Sequence, residues 1–218
     1  MQQLLRLQSR AKVLSHRIST NLKINMQYID DAEFQINIDL DQGGRISSLI
    51  WREMQFTIPF RGTPNNFGWF PLDNFLSTGS WQEIGPGRSL LHLPKEYRGA
   101  TLEQSYEVLD DAIRWSIEFD PADSDLPVRL GAHAWFARDL ERGGSAELEF
   151  KAPTPAPWDE TFSQVQGVPA IVWEDVARIS IESDAPFWAI NSVDSEAILI
   201  APESDEHYLE ALFVFTEE

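Results

Sequence analysis

The sequence predicts an all-β protein folded as one large antiparallel β-sandwich. Three observations carry this. Apolar residues alternate with polar ones at period two, glycine and proline clusters punctuate the chain at short intervals, and no helix-period run of useful length occurs after residue 26. Such alternation describes sheets with one face packed and the other wet.

The elements follow in order. Phe34, Ile36, Ile38 and Leu40 alternate with polar residues and predict an early strand. Ile113, Trp115, Ile117 and Phe119 predict another, and the runs 102–108 and 113–119 flank Asp110-Asp111, which reads as a hairpin turn. Ile179-Ser180-Ile181 continues the habit after Trp173. Gly43-Gly44, Pro121, Gly143-Gly144 and the cluster Pro153, Pro155, Pro157 separate these segments. There is no internal repeat and no linker long enough to divide the chain, so residues 26–218 read as a single domain within the size range of one all-β unit.

Residues 1–25 stand apart. They contain Arg6, Arg10, Lys12, Arg17 and Lys23 and no acidic residue, which leaves 12 of the 17 basic residues against all 35 acidic ones, a net of −23, in the remainder. This basic extension, with Leu4, Leu5, Leu7, Val13, Leu14 and Ile18, has three readings: a helical or disordered extension, sequence translated upstream of a true start at Met26, or an organellar transit peptide. The first two together are favoured, and residues 1–25 are expected to lie outside the fold.

Composition narrows function. The 218 residues include no cysteine, which excludes disulfides, thiolate metal sites and cysteine nucleophiles and makes a reducing, cytoplasmic location the expectation. No stretch approaches the 18 apolar residues of a membrane span, so no membrane partner is expected. The formal charge of −18 argues against nucleic acid and suits a neutral ligand. There is no phosphate loop, dinucleotide fingerprint or nucleophile elbow. His92, His133 and His207 are too scattered to suggest a metal site, and neither metal nor other cofactor is expected.

One segment concentrates chemistry. Gly131-Ala132-His133-Ala134-Trp135-Phe136 sets an imidazole between a permissive glycine and two large aromatics, at the end of a run that reads as a strand. A histidine there either exchanges a proton near neutral pH or is a core histidine with satisfied ring nitrogens. The eight tryptophans fit either core packing or sugar-stacking surfaces.

Five segments in series resemble the aldose 1-epimerase (galactose mutarotase) family. Gly43-Gly44-Arg45-Ile46-Ser47-Ser48-Leu49 is similar to its early strand-turn-strand, and Gly68-Trp69-Phe70-Pro71-Leu72 to its glycine-x-Phe-Pro-Met segment. Gly131-Ala132-His133-Ala134-Trp135-Phe136 resembles the motif whose histidine is the general acid, and Asp159-Glu160-Thr161-Phe162 the Asp-Asp-x-Phe sugar-binding turn. Trp173, Pro186-Phe187-Trp188 and Ile200-Ala201-Pro202-Glu203-Ser204 then follow in the order leading to the family's base motif. The resemblance covers residues 26–218 and implies a trimmed mutarotase-like sandwich, with His133 as acid, Asp159 holding sugar hydroxyls, and Trp69 or Trp135 walling the site.

Departures from the pattern are equally specific. The interval from Gly79 to Leu102 is shortened, and His92 is at best a displaced remnant of the family's second histidine. No arginine lies near Thr78, and Ala201 occupies the position of the base glutamate. Along a strand, residues i and i+2 share a face, so Glu203 is the candidate replacement base, provided Pro202 sits at an edge or bulge. The resemblance implies ring opening of an aldohexose by general acid–base catalysis, without metal or cofactor, in a monomer or homodimer. The losses imply a weak or degenerate epimerase. The alternatives are a non-catalytic carbohydrate-binding or regulatory module, and an interaction protein whose pocket has filled in.

Overall fold

The computed structural model describes residues 12–13, 25–41, 43–56, 69–71, 79–93, 99–122, 131–137, 139–140, 145–155, 162–190, 195–201 and 206–218. Seventeen strands run through them, and no helix occurs among them. In chain order these are β1 (Lys12–Val13), β2 (Met26–Asp30), β3 (Phe34–Asp39), β4 (Arg45–Trp51), β5 (Met54–Gln55), β6 (Trp69–Pro71), β7 (Ser80–Gly85), β8 (Arg88–His92) and β9 (Thr101–Leu109). Then come β10 (Ala112–Asp120), β11 (Ala132–Ala137), β12 (Ala146–Pro155), β13 (Phe162–Trp173), β14 (Ala177–Glu182), β15 (Phe187–Ile190), β16 (Ser195–Ile200) and β17 (Tyr208–Thr216). Every pairing is antiparallel, as the alternation predicts.

The predicted strand patterns bury the faces they should. Phe34, Ile36, Ile38 and Leu40 are buried, as are Ile113, Trp115, Ile117 and Phe119. β9 and β10 form a hairpin in continuous register from Leu109 opposite Ala112 to Thr101 opposite Asp120, turning through Asp110-Asp111. Asp110 takes a positive φ of 31°, which a tight hairpin turn requires and which aspartate tolerates better than most residues.

Following the pairings from neighbour to neighbour gives two layers. One contains β2, β3, β4, β6, β11, β16 and β15. The other contains β14, β17, β10, β9, β8 and β7. The twelve-residue β13 belongs to both. Its first part (162–165) pairs with β15 and its last part (170–173) with β14, while β12 follows it through two register shifts. Those irregularities let the β12–β13 ribbon bend from one layer into the next.

Aromatic rings fill the space between the layers. Phe215 of β17 meets Phe34 at 5.0 Å, Trp51 at 5.5 Å and Phe56 at 5.8 Å, all three from the opposite layer. Trp173 packs edge-on against Phe56 at 5.0 Å and donates its indole N–H to the Ala137 carbonyl at 3.1 Å. Edge-to-face contacts of this kind add to the burial of ring area itself.

Polar ties close both ends of the sandwich. At one, Gly43-Gly44 turns with φ of 83° and 64°, and the Gly44 carbonyl accepts from the buried Gln104 amide, which also donates to Ser89 Oγ at 3.0 Å. A side chain on residue 44 would collide with that amide as well as strain the turn. Tyr106 lies here too, stacked on Trp115, its hydroxyl 3.2 Å from Gln104 Oε1. At the other end, Arg52 lies over Trp51 and pairs with Glu33 at 2.6 Å, Glu217 at 2.8 Å and Asp111 at 3.0 Å. These carboxylates hold its guanidinium pKa above the ordinary value. The cluster is half-exposed, so water screens each pair, and it serves as a cross-tie rather than a main source of stability.

Burial pushes the Tyr106 phenol well above its ordinary value of about 10, against a smaller lowering by Arg45. A pKa raised in the fold means stability that is complete below pH ~10 and declines as pH climbs toward the folded value. Urea midpoints measured at pH 8 and pH 11 are expected to fall at the higher pH. In Tyr106→Phe that decline should shrink, at a cost of about 1 kcal/mol at neutral pH for the lost hydrogen bonds. An equal alkaline decline in both proteins would remove Tyr106 as its source.

Lys12–Val13 is extended and pairs with Ile29 and Asp30, so these residues of the basic extension are strand rather than helix. β2 is paired along its whole length with β3, independently of its two-residue contact with β1. We therefore expect a chain beginning at Met26 to melt within about 4 °C of the full chain, the scale of ~1 kcal/mol in a protein of this size. A much larger drop in a thermal scan would show that the extension is integral to the sandwich.

Candidate functional site

β11 carries the candidate histidine, near the start of its strand rather than at the end. Ala132, Ala134 and Phe136 point into the core between the layers. By the period-two rule His133 and Trp135 point the other way, onto the outer face of their layer. His133 is half-buried with its Nδ1 atom sequestered, and Trp135 is buried beside it. The strand thus brings these two candidates together on one face.

Register extends that face across the layer. His133 pairs with Leu199 of β16, Leu199 with Trp188 of β15, and Trp188 with Gln164 of β13. Each of these three has core-facing neighbours, namely Ile198 and Ile200, Phe187 and Ala189, and Val165. The row His133–Leu199–Trp188–Gln164 therefore lines the outer face, with Leu199 buried, Trp188 half-buried and Gln164 exposed. On its other side His133 pairs with Phe70 of β6, whereas Trp69 pairs with Ala134. It is Phe70, not Trp69, that shares a cross-strand row with the histidine.

The structure also describes Ala201, the residue that the sequence resemblance sets at the position of the base. β16 ends at Ile200, but the ladder continues for one more bond, from the Ala201 N–H to the Pro186 carbonyl at 3.1 Å. Ala201 follows Leu199 by two residues, which sets its methyl on the His133 side. Neither residue paired with His133, Phe70 or Leu199, is acidic. The described strand stops short of Glu203, which lies outside the described residues, as do Asp159 and Thr78.

His92 is placed elsewhere. It is exposed at the end of β8 in the second layer, paired with Thr101, and its Nε2 lies 2.9 Å from Gln82 Nε2. The second layer also carries a separate cleft of about 930 Å³, lined by Arg114, Glu182, His207, Tyr208 and Glu210 among others. Tyr208 donates to Glu210 at 2.7 Å, and that bond, ahead of desolvation, raises the phenol pKa. His133 takes no part in this cleft.

Sequence reasoning did not single out Leu199, Trp188 or Gln164 as neighbours of His133. The signal was present as alternation, with Phe187, Ala189, Ile198 and Ile200 inward and their neighbours outward. Which strand stands beside β11 is a property of the pairing, and no period reveals it.

Among the described residues no group of histidine, cysteine or carboxylate side chains could hold a metal ion, and no helix is long and apolar enough to cross a membrane. No protein-family model matches the chain, and no curated protein matches it in sequence. Solved structures do match. The galactose 1-epimerase of Lactobacillus acidophilus NCFM aligns with TM-score 0.61 at 9% identity, over 96% of this chain and 99% of that one. A galactose mutarotase-like protein from Clostridium acetobutylicum aligns with TM-score 0.59 at 10% identity, over 89% of this chain and 96% of that one. The Slr1438 protein of Synechocystis sp. PCC 6803 aligns with TM-score 0.62 at 12% identity, over 94% and 99%. The chain has the antiparallel β-sandwich fold of galactose 1-epimerase and galactose mutarotase-like proteins.

Proposed function

We propose that the outer face around His133 binds the ring form of an aldohexose, and that the protein is an aldose 1-epimerase in which binding has outlasted most of the catalysis. In the working reaction an acid protonates the ring oxygen while a base takes the anomeric hydroxyl proton. The bond from C1 to the ring oxygen breaks, C1 becomes an aldehyde carbon, rotation turns the carbonyl over, and closure gives the other anomer. His133 is the group here able to act as the acid. What supports the reading is the fold shared with galactose 1-epimerase together with the outer face on which β11 sets His133 and Trp135; Ala201, two residues past Leu199, is where the resemblance sets the base.

One positioned base is worth about 10²–10⁴-fold, so its loss leaves little rate over water. Glu203 is the candidate to restore some of it, with Asp159 holding hydroxyls. Polarimetry of freshly dissolved α-glucose and α-galactose is expected to show weak acceleration that disappears in His133→Ala. Quenching of tryptophan fluorescence is expected to report hexose binding in the millimolar range, about −4 kcal/mol. Turnover on the order of 10 per second or more would overturn the loss of catalysis and make Glu203 the working base. Absence of both binding and turnover would leave only an interaction protein on this fold.

A further inference from the structure

We propose that the cleft on the second layer is a docking site for an extended segment of a partner protein that carries basic and apolar side chains together. The inference is independent of the sugar-binding reading, because His133 takes no part in this cleft.

The cleft, about 930 Å³ in volume, is built on the outer face of β10, β17 and β14 and on the turns beside them. Leu209, Ala211 and Phe213 are buried, which turns Tyr208, Glu210 and Leu212 outward, and register sets Leu212 between Arg114 and Glu182. Tyr208 to Leu212 spans about 14 Å, the length of roughly four extended residues. Its walls are tied in place. Ser183 Oγ donates to the Glu210 carbonyl at 2.5 Å and accepts from the Ala185 N–H at 3.2 Å, while the His207 carbonyl accepts from the Phe119 N–H at 2.8 Å.

Two independent features of the lining point to the occupant. Three large apolar side chains are exposed among the described residues, and two of them, Val168 and Tyr208, lie in this cleft. Exposed apolar surface gathered in one concavity marks an interaction site. The second feature is charge. Among the described lining residues Glu182, Asp184, Glu206 and Glu210 face a single guanidinium, that of Arg114, which Glu107 at 2.5 Å and Glu210 at 3.9 Å already engage. Glu182, Asp184 and Glu206 are exposed and have no ion-pair partner among the described residues. Such a lining attracts basic side chains and repels phosphate, which argues against nucleic acid and anionic lipid. A second copy meeting this face across a twofold axis would bring the same carboxylates together. Both edges of β17 are taken by β10 and β14, so a partner here reads side chains and cannot add a strand to it.

The test is calorimetric titration of the full chain with an acetylated, amidated peptide Leu-Lys-Lys-Lys-Leu, beside Gly-Lys-Lys-Lys-Gly and Leu-Glu-Glu-Glu-Leu. The first is expected to bind about tenfold more tightly than the second and to weaken about tenfold between roughly 50 mM and 500 mM salt. The acidic peptide should not bind. Glu182→Gln with Asp184→Asn, and separately Val168→Ala with Tyr208→Ala, should each lower the affinity of the first peptide by about tenfold. All four residues are exposed, so both double variants should keep the fold. The charge-matched control Glu83→Gln with Glu147→Gln, exposed and outside the cleft, should change nothing. Cleft variants that bind like the wild type, or equal losses in the control, would overturn the proposal. Equal binding of the leucine and glycine peptides would do the same, leaving only the diffuse charge of an acidic chain. So would failure of the first peptide to bind at about 1 mM. Self-association of the full chain that the cleft substitutions abolish would make the basic residues 1–25 of a second copy the occupant, and would overturn the assignment to a different protein.

Discussion

Replacing Ala201 with glutamate is expected to raise mutarotation by about 10²-fold or more over the wild-type chain. The position favours such a gain. The Ala201 backbone is held by the Pro186 carbonyl, the residue lies two places beyond Leu199, and Leu199 is the cross-strand partner of His133. With the strand's alternation carried one residue past Ile200, a carboxylate there would stand on the same face as the imidazole, diagonal to it along the strand rather than directly opposite. Residue 201 is half-buried rather than enclosed, so the new charge keeps partial access to water and does not bear the full penalty of burial. The increase should vanish when His133→Ala is added, because acid and base act on one transition state and their effects are not additive. Progress curves on α-galactose, read by polarimetry, supply the measurement. If Ala201→Glu folds, binds sugar and gains nothing, the face around His133 is not an epimerase site in need of a base.

Phe215→Ala is expected to cost about 3–5 kcal/mol, the range for removing a fully buried aromatic. Phe215 is 1% exposed, and its ring touches Phe34, Trp51 and Phe56, so its removal opens a cavity at the centre of the inter-layer packing. Phe34 and Trp51 sit on paired strands and the Phe56 backbone is bonded to Leu49 and Ala137, so none of the three backbones is free to move in and fill it. Val168, 62% exposed, provides the contrast, and Val168→Ala should change stability by no more than about 0.5 kcal/mol. Urea denaturation of both variants would decide the matter. Equal small shifts would mean that the rings add little to what the strand ladders already provide.

Much of the architecture was legible in the chain because period two is a physical consequence of a half-buried strand. Phe34 through Leu40 and Ile113 through Phe119 declare both their strands and their buried faces. The turn at Asp110-Asp111 follows from two such runs meeting head to tail. The side chains now flanking His133 were less accessible to this reasoning. Trp188 and Leu199 are far from residue 133 in sequence and become its neighbours through the order β11–β16–β15, which hydrogen bonding between distant segments decides. The strand argument linking Ala201 to Glu203 needs extended chain through 203; the described ladder runs as far as the Ala201 N–H, and residues 202–205 lie outside the described residues. His92 resembled a remnant by its place in the sequence, yet its hairpin belongs to the other layer.

β17 is one of the most central strands in the fold, seated between β10 and β14. Take it away and β10 and β14 each present an open edge, together with the ring pocket that Phe213 and Phe215 fill. The second layer therefore closes only when this strand is in place, and any partly folded state that lacks it carries two adhesive edges. A chain without residues 208–216 should aggregate rather than fold into a smaller version of itself. Mutual repulsion among the 35 acidic residues works against contact between such edges.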